Sequence, residues 1–125
     1  MASALVALAL AALVWLTVFQ LLLALGVPLG RLAWGGADRI LPPNKRVASM
    51  IAAVMTAIAA LCLADHLGLT SSVPDVVERP LLWVLLGLFA LSTIANFATS
   101  SRAEKIHGVP LAAIITIGIA AAVFG

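Results

Sequence analysis

The sequence predicts an all-α protein, a four-helix transmembrane bundle with both termini on the outer side of the membrane. Composition and charge distribution predict this class. Hydrophobic residues make up 64 % of the 125-residue chain and only 10 % are charged, so the mean hydropathy is +1.22, beyond what a soluble domain shows. The charges are confined to three short stretches. Between them lie four apolar runs, each close to the ~20 residues that a helix needs to cross a bilayer.

We expect one domain over residues 1–125, because the longest polar stretch, residues 27–46, is too short for a separate soluble domain. The apolar runs predict helices at about 4–26, 47–67, 80–98 and 107–124.

The first helix has the position of a signal peptide but lacks its basic start. Residues 1–3 contain no Lys or Arg, and the apolar run exceeds the usual length of a signal core. We therefore expect a retained helix. Trp15 lies near its middle rather than at an interface, so it is expected to pack against another helix.

The second and fourth helices carry small residues at the spacing that lets helices approach closely, as at Ser49 and Ala53 or at Gly118 and Ala122. Asn44 is a suitable N-cap for the second helix. The fourth run, residues 109–124, is about 24 Å long as a helix. That helix must start a turn earlier, tilt little or cross a thin bilayer.

The orientation follows from the basic residues, which favour cytoplasmic loops. Six of the seven lie in the first and third connections, and Arg79 alone lies in the second. The first and third connections are therefore predicted to be cytoplasmic, in the inner membrane of a bacterium. The same six residues are candidates for contact with anionic lipid head groups: Arg31, Arg39, Lys45, Arg46, Arg102 and Lys105.

Gln20 and Asn96 are the main candidates for a polar site within the membrane, with Ser92 and Ser49 as expected neighbours. Both amides lie near the cytoplasmic ends of their helices, at comparable depth. Unpaired amides are costly in hydrocarbon. They would either bond to each other as an interhelical clamp or form the polar floor of a cytoplasm-facing cavity. The neighbouring loops add mixed charge, including Glu104 and His107.

Several kinds of chemistry are not indicated. Cys62 is a lone cysteine, no metal-ligand spacing is present, and the glycine-rich stretch 26–36 lacks the ending of a P-loop. No charged residue lies at the centre of a helix, where proton-coupled transporters usually need one. No metal or other cofactor and no nucleic-acid partner is expected, and the pattern leans against an enzyme.

Two segments resemble a small family of bacterial four-helix integral membrane proteins that has no assigned activity. The first comprises Phe19 and Gln20, the motif LGVPLGRLAWGG at 25–36, Leu41-Pro42 and Arg46. The second is NFATSSRAE at 96–104. The resemblance covers most of the chain. It implies the four-helix membrane fold and adds no mechanism.

Three functions remain open from the sequence. The leading one is an accessory or structural membrane protein that works through a membrane-protein partner or through lipids. The first alternative is a small transporter or channel, assembled as a homo-oligomer and using a cytoplasm-facing polar site. The second is a membrane enzyme that acts on a lipid-like substrate at the cytoplasmic interface.

Overall fold

The computed structural model describes residues 2–125. Within them lie four long helices, α1 (Ala2–Ala24), α2 (Pro43–His66), α3 (Asp75–Ala98) and α4 (Arg102–Phe124). Two 3-10 turns, Gly30–Leu32 and Trp34–Gly36, occupy the first connection, residues 25–42. All four helices are long and apolar enough to cross a membrane. The prediction of an all-α, multi-pass membrane protein with four such helices is confirmed.

The helices begin earlier than the apolar runs do. α2 begins at Pro43 rather than at 47, so Asn44 lies in its first turn and is not the cap. A proline is well tolerated there, because its missing N–H would have no intrahelical partner. α3 begins at Asp75 rather than at 80, with Asp75 and Glu78 in a first turn where the helix dipole favours negative charge.

α4 begins at Arg102, five residues before the predicted start at 107. The Ser101 side chain caps this helix by accepting a hydrogen bond from the Glu104 backbone N–H at 3.2 Å. The extra turn lengthens the sixteen-residue apolar run into a helix of 23 residues, which spans about 34 Å. The fourth helix is therefore long enough to cross a bilayer of ordinary thickness.

α1 and α4 form the centre of the bundle. α1 packs against α2 and α4, and α3 packs mainly against α4. A core shared by all four helices fills the half that contains the N-terminal part of α1 and the C-terminal part of α4, with Val6, Leu13, Cys62, Leu63, Leu85, Phe89, Ile115 and Ile119 among its members.

Close packing and paired hydroxyls join the helices. A Cβ atom on Gly118 would overlap the Cβ of Ala9, so α1 and α4 approach each other at this glycine. The Thr17 hydroxyl donates to the Thr56 hydroxyl across α1 and α2 at 2.8 Å. Such bonds contribute about 0.6 kcal/mol on average between membrane helices.

The opposite half is called here the connection end: the C-terminal ends of α1 and α3, the N-terminal ends of α2 and α4, and the first connection. Gly26, at φ +89°, ends α1, and the Arg46 guanidinium donates to the Ala24 carbonyl at 2.9 Å. The connection then folds back on the bundle and forms a second small core with α1, from Phe19, Leu23, Ala33 and Leu41.

Candidate functional site

A cavity of about 560 Å³ lies at the connection end between α1, α3 and α4. Most of its wall is apolar, with side chains such as Leu16, Phe19, Leu32 and Leu111. Its polar residues are Gln20 of α1, Ser92 and Asn96 of α3, Thr99 directly after α3, and Glu104 and His107 of α4. The volume lies in the range of small-molecule sites, which are typically apolar with a few convergent polar groups.

Gln20 lines this wall and contains an unsatisfied acceptor. Its Oε1 atom is buried and has no hydrogen-bond partner in the structure. An acceptor buried in this way costs about 1–3 kcal/mol, because it loses water and gains no donor in exchange. If the side chain turned toward the cavity, a bound molecule could donate to this atom and remove that cost.

Asn96 lies in the same cavity but does not bond to Gln20. Its Nδ2 atom donates to the Ser92 carbonyl one turn back on α3 at 2.8 Å. The Asn96 side chain also lies directly against Gly108 of α4, where a Cβ atom would overlap it. Gln20, Ser92 and Asn96 thus line one cavity, and the two amides do not bond to each other.

His107 forms part of an aromatic group on the α1 side of the cavity. The Trp15 indole N–H donates to His107 Nε2 at 3.0 Å, and the Phe19 ring centroid lies 4.5 Å from the imidazole. The expectation that Trp15 packs against another helix is met on α4. Because Nε2 accepts this bond it carries no proton, so the ring is neutral with its proton on Nδ1.

Glu104 joins α4 to the first connection. The Gly35 backbone N–H donates to Glu104 Oε2 at 3.2 Å. Gly35 lies in the middle of three consecutive residues with positive φ. The values are +51° for Trp34, +83° for Gly35 and +73° for Gly36. A tryptophan in this region is unusual, and such backbone strain is often found at functional sites.

Ser49 lies apart from the cavity. It is fully buried on α2, and its hydroxyl accepts a hydrogen bond from the Trp34 indole at 2.9 Å. The serine therefore holds the first connection against α2. It is a positioning contact and not a neighbour of the two amides.

Three of the six basic candidates make bonds within the protein. Lys45 pairs with Asp38 at 2.6 Å, Arg46 caps α1, and Arg31 donates to the Gly36 carbonyl at 3.0 Å. Arg39, Arg102 and Lys105 are exposed. None of the described residues that line the cavity is Lys or Arg.

The sequence placed Glu104 and His107 only among the mixed charge near the two amides, because the fourth helix was expected to begin at 107. With α4 beginning at Arg102, Glu104, His107, Gly108 and Leu111 follow helical spacing and fall on one face. The signal that would have shown this is the capping pattern of Ser101 followed by Glu104.

Residues 2–125 contain no group of three or more His, Cys, Asp or Glu side chains that could hold a metal ion. No family model, no curated protein and no solved structure matches this sequence. The cavity geometry is therefore the observation from which a function is inferred.

Proposed function

We propose that this protein is an accessory protein of the membrane that works through lipids, by holding a lipid-like molecule in the cavity at the connection end. The observation that carries the proposal is a largely apolar cavity lined by Gln20, whose Oε1 atom is buried without a donor. An amphiphile has the two features that this wall matches, a polar head and an apolar chain.

We also propose that the cavity faces the cytoplasm of a bacterial cell, with both termini outside its plasma membrane. The support is the charge asymmetry: Arg39, Arg102 and Lys105 are exposed around the connection end, and Arg79 alone lies on the opposite side. Basic residues attract anionic lipids to a cytoplasmic surface. These three side chains are the proposed contacts with anionic head groups outside the cavity.

The two alternative functions have less support. Transport needs a route past the four-helix core, which closes the half of the bundle beyond the cavity, so it would require a homo-oligomer. Enzymatic action needs a base that can reach a substrate proton, whereas His107 Nε2 already accepts a hydrogen bond from Trp15.

Native mass spectrometry of the protein released from native nanodiscs tests the proposal. The wild type is expected to retain an adduct of lipid-like mass. Gly108→Leu is expected to lose it, because a side chain at this position would overlap the Asn96 side chain in the cavity wall.

Gly87→Leu is the matched control, since a Cβ on this helical glycine meets no other group within 4 Å. Circular dichroism would establish that both variants are folded. A folded Gly108→Leu variant that retains as much adduct as Gly87→Leu would contradict the proposal.

A further inference from the structure

The charge of the cavity wall restricts the head group that it can hold. Glu104 contributes a carboxylate. His107 contributes no positive charge, because its Nε2 atom accepts the hydrogen bond from Trp15. Of the described lining residues none is Lys or Arg. A phosphate or carboxylate head would therefore meet a like charge and no cation, which disfavours binding.

One unpaired acceptor on a lining residue favours the same kind of head group. The atom that needs a partner, Gln20 Oε1, is an acceptor. Asn96 Nδ2 donates one of its two N–H groups to the Ser92 carbonyl, which leaves one for a ligand. A head that carries O–H or N–H groups would satisfy Gln20 and could also reach the Glu104 carboxylate.

Aromatic groups complete the wall. Phe19, Trp34 and His107 all line the cavity. Their ring faces accept either an alkyl chain or an ammonium group, and an ammonium over an aromatic face gains further electrostatic attraction. The basic side chains that would attract an anionic head lie elsewhere, with Arg31, Lys45 and Arg46 bonded within the protein.

On these grounds we propose that the cavity selects a single-chain amphiphile whose head is a hydrogen-bond donor without negative charge, a hydroxyl or an ammonium group. This inference rests on the proposed function and deepens it, since it names the chemistry of the ligand. The donor head lies against Gln20 and Glu104, and the chain extends along the apolar wall.

The test uses three probes that share an oleoyl or oleyl chain: monooleoylglycerol, oleylamine and oleoyl lysophosphatidate. Each is added at the same mole fraction to phosphatidylcholine nanodiscs that contain the wild-type protein, and the adducts are counted by native mass spectrometry. At least one donor probe is expected to bind about tenfold more tightly than lysophosphatidate, the size of one hydrogen bond to a charged group.

Two variants separate the hydroxyl from the ammonium head. Gln20→Leu is expected to weaken whichever donor probe binds by about fivefold, the size of one neutral hydrogen bond. Glu104→Gln is expected to weaken oleylamine by about tenfold and monooleoylglycerol much less. Glu78→Gln is the matched control, because Glu78 also has a buried oxygen without a partner but lies at the other end of α3.

The outcomes distinguish the inference from the proposed function. Lysophosphatidate adducts that equal or exceed the donor adducts, and that disappear in Gly108→Leu, would overturn the donor-head inference and leave the cavity as a lipid site. If no probe forms an adduct that depends on Gly108, both proposals fail.

Discussion

Gln20 is the residue at which folding and binding have opposite requirements. The sequence placed Gln20 and Asn96 at the same end of the bundle, and both line the cavity there. Their partners were not predictable, because hydrophobic periodicity does not show that Asn96 bonds to the carbonyl of its own helix. The Gln20 carbonyl oxygen is then left buried without a donor.

Gln20→Leu is expected to stabilise the ligand-free protein while it weakens binding. Removing a buried acceptor without a partner gains about 1–3 kcal/mol, so the unfolding midpoint in detergent should rise. Thr17→Val is the control, since it removes a hydroxyl that is paired with Thr56 and should lower the midpoint. A decrease in Gln20→Leu similar to that in Thr17→Val would show that the Gln20 carbonyl is satisfied.

At the scale of the element, the helices were predictable and their starts were not. Long apolar runs are sufficient to predict a membrane helix. The first turns of three helices, however, contain a proline or charged residues: Pro43 in α2, Asp75 and Glu78 in α3, and Arg102 and Glu104 in α4. Capping, dipole and proline effects decide these turns. Because the predicted α4 began at 107, the sequence did not show that Glu104 and His107 share one helix face.

The contact between α1 and α4 depends on a glycine. Gly118→Ala places a Cβ atom against Ala9 and the Leu5 carbonyl, and overpacking of this kind costs about 1–3 kcal/mol. We expect a lower unfolding midpoint in detergent. Gly87→Ala, with open space around its Cβ, should not lower it, because alanine favours the helix. Equal midpoints for the two variants would contradict the observed helix packing.

The cap of α4 also holds the first connection. The Ser101 hydroxyl accepts from the Glu104 N–H and donates to the Arg31 carbonyl at 3.3 Å. Ser101→Ala is expected to cost about 1 kcal/mol and to speed amide hydrogen exchange in residues 30–36 as well as 102–107. Ser100→Ala, at the exposed neighbour, is the control. Faster exchange confined to α4 would show that the connection is held without this serine.

At the scale of the whole molecule, composition predicted the class and the number of helices. It did not predict that one half of the bundle has a four-helix core and the other half contains a cavity. That difference depends on Gly30, whose Cβ would overlap the Asp38 carbonyl, and on Gly36, which lies against Ser101. These close contacts let the connection fold back on α4.

The proposed orientation can be measured with single cysteines in a Cys62→Ala background. Ser71→Cys lies in the second connection and Ser100→Cys in the third, and both positions are exposed. A membrane-impermeant thiol reagent should label Ser71→Cys in intact cells and Ser100→Cys only after permeabilisation, because basic connections stay in the cytoplasm. The reverse pattern would place the cavity on the outer side.

The most direct measurement of the central claim is photocrosslinking of monooleoylglycerol that carries a diazirine on its chain, with the labelled peptides mapped by mass spectrometry. If the cavity binds an amphiphile, labelling should concentrate in residues 16–20, 92–99 and 104–112 and decrease with excess unlabelled monooleoylglycerol and in Gly108→Leu. Labelling that instead spreads over exposed α2 residues such as Met50 and Met55, with no response to the competitor, would contradict the claim.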